Sequence, residues 1–221
     1  MYKKVLFFNL LLIIFSINLL PAFAETDWEW SMIGIRLYSR GQYDDALYCY
    51  NCALNINPQN DVVWINKGDV LLSLGSYIEA IECYDKAFLI NSKSTLALNK
   101  KAHALMKMEE YKEAIRCLDN SLEIEPHNAI TWYTKGNLLY KIKSYKRSVV
   151  CYTNAVNIDP SLTKAWYNKG SALYVLKRYA EAIDCYNKAL ELDPSNTYAI
   201  YFRTISLREW NKEIICVAAD K

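Results

Sequence analysis

Two kinds of hydrophobic order divide the chain. Val5 to Leu20 is an apolar run interrupted only by Asn9, Ser16 and Asn18. From residue 27 onward the apolar positions recur at helical spacing instead. Trp166, Gly170 and Leu173 stand at i, i+4 and i+7, one face of a helix, and Ala182, Tyr186 and Ala189 repeat that spacing a short turn later. The couplet returns every 34 residues. Aligned on Pro58, Pro126, Pro160 and Pro194, with Ser92 in the missing place, the frame runs 27–60, 61–94, 95–128, 129–162 and 163–196. Each of these five units predicts a pair of antiparallel helices.

Other columns keep the frame. The fourth place holds Trp30, Trp64, Leu98, Trp132 and Trp166, and the eighth holds Gly34, Gly68, Ala102, Gly136 and Gly170. The seventeenth holds Tyr43, Tyr77, Tyr111, Tyr145 and Tyr179. The twentieth holds Ala46, Ala80, Ala114, Ser148 and Ala182. The twenty-fourth holds Tyr50, Tyr84, Leu118, Tyr152 and Tyr186, and the twenty-seventh Ala53, Ala87, Ser121, Ala155 and Ala189. The small residues let two helix backbones approach closely while the aromatic ones fill the space beside them. Asn60, Ser94, Asn128 and Asn196 suit the N-cap of the following helix, whereas Leu162 predicts a weaker cap.

These columns resemble the tetratricopeptide repeat (TPR), whose pattern is Trp, a spaced Leu-Gly, Tyr, then Ala, an aromatic, Ala and Pro. The departures are Leu98 for Trp, Ser148 for Ala, and Lys at the usual Leu place in units two to five. The resemblance covers residues 27–196, with a partial repeat or C-terminal cap over 197–221. It implies an all-α fold, a right-handed α-α superhelix of stacked antiparallel helix pairs, in which the first helix of each pair lines a concave side. No single unit can bury its apolar face alone, so stability comes from stacking.

The N-terminus reads differently. Lys3 and Lys4 precede the apolar run, and Ala22-Phe23-Ala24 follows it as an A-x-A site. That is the layout of a signal peptide over residues 1–24, cleaved before Glu25, and hence of a secreted, periplasmic or cell-surface protein. The run is shorter than the ~20 residues that a spanning helix requires. The alternative is an uncleaved anchor, which would tether the chain to a membrane through residues 5–20. Formal net charge is +2, and cleavage would remove two lysines and no acid, leaving zero. Neither value predicts a phosphate-binding surface, so nucleic acid is not an expected partner.

Seven cysteines in an exported chain raise the question of a disulfide framework. Cys49, Cys83, Cys117, Cys151 and Cys185 all occupy the twenty-third place. Equivalent atoms of stacked pairs lie about 10 Å apart, beyond the ~7 Å limit of disulfide Cα separations. These thiols are therefore expected to be compact packing residues. Cys49 and Cys52 form a C-x-x-C, the basis of an alternative reading as a redox or metal protein. They sit in mid-helix with no second pair and no nearby His, so a tetrahedral metal site lacks ligands, and Cys52 is expected to be exposed. Glu82–Lys86 and Asp184–Lys188 are i, i+4 pairs on solvated faces. No catalytic constellation, metal site or cofactor motif is found, so the chain is not expected to be an enzyme.

The informative surface is the concave side that the resemblance implies. The fifth place of the first helices holds Ser31, Ile65, Asn99, Tyr133, Tyr167 and then Tyr201. The ninth holds Ile35, Asp69, His103, Asn137 and Ser171, and the twelfth Tyr38, Leu72, Met106, Tyr140 and Tyr174. A groove through Tyr38, Ile65, Asp69, Asn99, His103, Tyr133, Asn137, Tyr140, Tyr167, Ser171, Tyr174 and Tyr201 is expected to hold a protein or peptide. Tyrosines offer broad contact at low entropy cost. Some relatives grip a C-terminal carboxylate with Lys and Asn. Here Tyr133 stands where that Lys would be needed, and Lys164 with Asn168 does not restore the set. A Tyr-lined groove also suits a carbohydrate or envelope polymer, the second alternative.

Overall fold

A computed structural model describes the backbone of residues 25–219, with side chains except at residues 213 and 216–219. The proposed signal segment, 1–24, and the Cys216 side chain lie outside it. Eleven α-helices and no strand occur among the described residues. They are α1 Asp27–Ser39, α2 Tyr43–Ile56, α3 Asp61–Ser73, α4 Tyr77–Ile90, α5 Thr95–Lys107 and α6 Tyr111–Ile124. Then follow α7 Ala129–Lys141, α8 Tyr145–Ile158, α9 Thr163–Val175, α10 Tyr179–Leu192 and α11 Thr197–Ala219. None is long and apolar enough to cross a membrane. By packing the chain divides into two units, one ending at Glu109 and one beginning at Glu110.

Caps set the starts of the first helices. Thr26 and Glu29 form a capping box at α1. Asn60, Ser94 and Asn128 accept from the backbone N–H three residues on, and Asn196 accepts from Ala199 N–H. Leu162 offers α9 no side-chain cap. Within each pair the turn contains one left-handed residue: Gly41, Gly75, Glu109, Lys143 and Lys177, at φ 76°, 82°, 62°, 62° and 60°. The last three lack glycine's freedom there and carry backbone strain.

In the N-terminal unit Trp30, Ala46, Tyr50 and Ala53 pack with Val63 and Val70, and Tyr84 packs with Ala80, Ala87, Ala97 and Ala104. In the C-terminal unit Tyr152, Leu173, Ala182, Tyr186, Ala189 and Ala199 form the core. Burying each such large side chain stabilises by about 1.5–3 kcal/mol. The eighth-column glycines have a more specific use than close backbone approach. A Cβ on Gly170 would stand 2.7 Å from Tyr186 Cε1, and one on Gly136 2.6 Å from Tyr152 Cε1. The glycine makes room for the twenty-fourth-place ring of its own repeat.

The lysines that depart from the family pattern join consecutive repeats. Lys67 Nζ donates to Asn51 Oδ1 at 2.7 Å, Lys101 Nζ to Asp85 Oδ1 at 2.5 Å, and Lys135 pairs with Asp119. Arg203 repeats the contact to Asn187 at 3.3 Å. In every case the cation comes from the seventh place and its partner from the twenty-fifth place of the preceding repeat. The expected i, i+4 pairs do not form. Lys86 lies over the Trp64 ring, 4.4 Å from its centroid, and Lys188 pairs with Glu191 at 2.6 Å. Both alternatives are closer partners for a flexible ammonium on a half-exposed face.

Candidate functional site

Three of the four buried twenty-fourth-place tyrosines, Tyr50 excepted, end on ninth-place side chains. Tyr84 Oη donates to Asp69 Oδ1 at 2.8 Å, Tyr152 Oη to Asn137 Oδ1 at 2.9 Å, and Tyr186 Oη to Ser171 Oγ at 3.4 Å. The sixth-place residue of the next repeat closes each link where it can. Lys100 Nζ donates to Asp69 Oδ2 at 2.8 Å, and Asn168 Nδ2 to Asn137 Oδ1 at 2.8 Å. Asn168 Nδ2 also reaches Tyr133 Oη at 3.3 Å. Burial raises the pKa of Tyr84, Tyr152 and Tyr186 far above the ordinary phenol, so these hydroxyls keep their protons and act as donors.

In the C-terminal unit this ladder forms the floor of a hollow of about 270 Å³, lined by Asn137, Tyr140, Tyr152, Tyr167, Asn168 and Ser171. Tyr133, Tyr140, Tyr167 and Tyr174 are half-buried. Tyr133 leans on Tyr152 with centroids 6.1 Å apart, and Tyr167 on Tyr186 at 6.0 Å. The twelfth-place rings pack on the seventeenth-place rings, Tyr140 on Tyr145 at 5.2 Å and Tyr174 on Tyr179 at 5.5 Å. Tyr201 is 61% exposed, and its neighbour Phe202 turns inward against Tyr186. Sequence reasoning placed Asn137, Tyr140, Tyr167 and Ser171 on this surface but missed Asn168. The signal for Asn168 is its sixth place, one turn-face from the ninth place of the preceding first helix.

The N-terminal unit buries part of its predicted surface. Ile65 is a correction: it is 4% exposed and belongs to the core with Tyr84 and Ala97, so it does not line a groove. A short aliphatic side chain at the fifth place ends in the helix seam, where a tyrosine ring extends past it. Asp69 and Asn99 are half-buried, and Asp69 is held by Tyr84 and Lys100. Tyr38 is half-buried against Tyr43, with its hydroxyl 3.0 Å from Ser73 Oγ. His103 faces solvent, and partial desolvation of its ring, then Lys107 and Lys100, hold it below the usual imidazole value.

Five of the six described thiols lie inside the helix pairs. Cys49, Cys83, Cys151 and Cys185 are free and buried, and Cys117 is buried. Burial pushes Cys49 and Cys185 up to about 11 and also raises Cys83 and Cys151. Cys52 is half-buried against the core cluster that contains Trp30 and Val63, not exposed as its sequence position implied. No group of three or more His, Cys, Asp or Glu able to hold a metal occurs among the described residues.

Comparison with known proteins follows the same frame. The tetratricopeptide repeat model matches residues 163–196, and a second tetratricopeptide repeat model matches 99–149. The model of anaphase-promoting complex, cyclosome, subunit 3, matches 39–121. No curated protein sequence matches the chain. Among solved structures, MamA from Desulfovibrio magneticus RS-1 is similar at 21% identity and TM-score 0.68, covering 79% of this chain and 98% of that one. YrrB, described as a TPR protein with an unusual peptide-binding site, is 19% identical with TM-score 0.65, covering 80% and 91%. The first TPR of Spaghetti (RPAP3), bound to the HSP90 peptide SRMEEVD, is 26% identical with TM-score 0.52, covering 55% and 96%. The matched spans, the unbroken 34-residue frame and the repeated helix pairs together make this chain a member of the tetratricopeptide repeat family.

Proposed function

We propose that this chain is an exported scaffold that holds a protein or peptide partner non-covalently on its first-helix face and supports assembly of a complex. The observation that carries the reading is the hollow of the C-terminal unit. Its tyrosine walls stand over an amide and hydroxyl floor, without a nucleophile, a general base or a metal-ligand set. Two similar structures are described with a peptide-binding site or a bound peptide, which favours the same class of partner here. A carboxylate-tail grip is not part of the proposal, since Tyr133 occupies the place where the cation would stand.

The test needs a variant that keeps the rings, because Tyr133 and Tyr167 rest on the buried tyrosines and their removal would also cost stability. Tyr140→Phe with Tyr167→Phe removes only hydroxyls. Affinity capture from the native source with both forms is expected to recover one partner with the parent chain and lose it with the variant at unchanged Tm. Equal recovery would remove the hollow from the mechanism. Saccharide binding on a glycan array with no protein recovered would transfer the chain to the carbohydrate class. Export rests on residues 1–24 and is tested by mass: a mature chain beginning at Glu25 is expected, and an intact Met1 would refute cleavage.

A further inference from the structure

The hydrogen bonds of the hollow floor fix which groups face the ligand. Tyr152 is 1% exposed, and its hydroxyl proton must be satisfied. The acceptor at 2.9 Å is Asn137 Oδ1, which also receives Asn168 Nδ2. Turning the Asn137 amide over would leave the buried phenol proton without an acceptor, at the full cost of its desolvation. Asn137 therefore commits its oxygen inward and its Nδ2 toward the hollow. Tyr133 Oη accepts from Asn168, so its own proton is free to donate. The hydroxyls of Tyr140 and Tyr167 make no hydrogen bond to another described residue and add two further donors. Ser171 spends its proton on Tyr167 O at 3.1 Å. Asn168 Oδ1 is the one obligate acceptor left on the lining. No carboxylate lines the hollow.

A surface rich in donors and aromatic faces complements a backbone that offers carbonyl acceptors and few N–H groups. The repeat spacing adds a register. Adjacent first helices lie about 8–10 Å apart, and a polyproline II chain advances about 9.3 Å in three residues. Tyr133, Tyr167 and Tyr201 stand one repeat apart in the fifth column. From this donor set and register we infer that the occupant of the hollow is a proline-rich, polyproline II segment of the partner, a refinement that rests on the peptide-binding reading above. Successive carbonyls accept from Asn137 Nδ2 and the tyrosine hydroxyls, and every third pyrrolidine ring lies against a fifth-column tyrosine.

The deciding variant is Asn137→Asp. Both carboxylate oxygens accept, so the inward contacts to Tyr152 and Asn168 survive, as Asp69 already shows with Tyr84 and Lys100. The hollow-facing donor becomes an acceptor that repels carbonyl oxygen. The measurement is isothermal titration of the full chain with a blocked nonaproline peptide, a blocked Gly-Ser nonapeptide and a pooled mixed-sequence peptide library. Saturable nonaproline binding, absent for Gly-Ser and weakened about tenfold or more in Asn137→Asp, supports the inference. Tyr167→Phe, which keeps the ring, is expected to weaken binding several-fold and serves as the second variant if Asn137→Asp unfolds. Unchanged nonaproline affinity in the folded variants overturns the inference. Library binding in the hollow without nonaproline binding also overturns it and leaves the peptide-binding reading standing. Binding by no peptide at all defeats both.

Discussion

Gly170 and Tyr186 are expected to behave as one unit, and a double-mutant cycle measures it. In an unconstrained helix Gly→Ala would gain about 1 kcal/mol. Here the new Cβ would lie 2.7 Å from Tyr186 Cε1 and 3.0 Å from Cδ1 and Cζ. The ring cannot swing away, since it is wholly buried, leans on Tyr167 and stacks on Phe202 with centroids 6.3 Å apart. Overpacking of this kind costs roughly 1–3 kcal/mol, so Gly170→Ala is expected to destabilise by about 1 kcal/mol net. Tyr186→Leu alone empties part of the ring's volume and costs about 2–3 kcal/mol. The pair together restores the combination already present in the third repeat, where Ala102 and Leu118 occupy the same two columns. The double variant should therefore be less destabilised than the sum by about 1 kcal/mol or more. Urea denaturation followed by circular dichroism gives all four values. Stabilisation by Gly170→Ala, or additivity within about 0.5 kcal/mol, would refute the pairing.

Three further outcomes follow from local geometry. Lys143→Gly and Lys177→Gly should each raise stability by about 0.5–1 kcal/mol, since their φ of 62° and 60° costs an L-residue more than glycine's extra chain entropy; lower Tm in either variant would contradict the strain. Hydrogen bonds from Asn60 and then Asn57 hold Asp27 below the ordinary carboxylate value, so its contribution is present above that ordinary value and is lost as pH falls through the lowered one. Asn60→Ser keeps the cap of α3, and NMR should show the Asp27 midpoint moving upward; a midpoint that stays put would exclude the Asn60 contact. In thiol labelling at pH 7, Cys49 and Cys185, pushed up to about 11 by burial, should react only on unfolding. Prompt labelling of either in the folded chain would show that the pair interior opens.

The helices, their caps and the tyrosine surface were legible in the sequence because each is a column, and five copies of a column average out local accident. Leu162 was legible as a missing cap for the same reason. What escaped the sequence depends on contacts between repeats. Lys67, Lys101 and Lys135 looked like departures from an apolar place, because nothing in one repeat reveals that the twenty-fifth place of the preceding one lies opposite. Ile65 shares a column with Tyr133 and Tyr167 but not a fate, since side-chain length decides which fifth-place residue emerges from the seam. The eighth-column glycines were read as permitting close backbones, when the nearest atoms to each of their missing Cβ atoms belong to a tyrosine ring.

The ninth column carries two obligations, and this limits where a ligand site can arise. In three repeats its inward side accepts a buried tyrosine hydroxyl, at Asp69, Asn137 and Ser171, whereas the first repeat holds Ile35 there although Tyr50 is equally buried. Its outward side is then decided by what remains: a second carboxylate oxygen taken by Lys100 at Asp69, a free amide at Asn137, a serine proton returned to its own helix at Ser171. Only Asn137 satisfies the core with one atom and still presents a donor with the other. The first and third repeats lack this link: Ile35 offers no acceptor, and Leu118 has no hydroxyl to place where the column holds His103. A ligand site in the C-terminal unit therefore follows from how the core spends its hydrogen bonds. Replacing Tyr152 by Phe should free the Asn137 amide from one of its two inward donors, and so alter the hollow's donor pattern while the ring that lines it is kept.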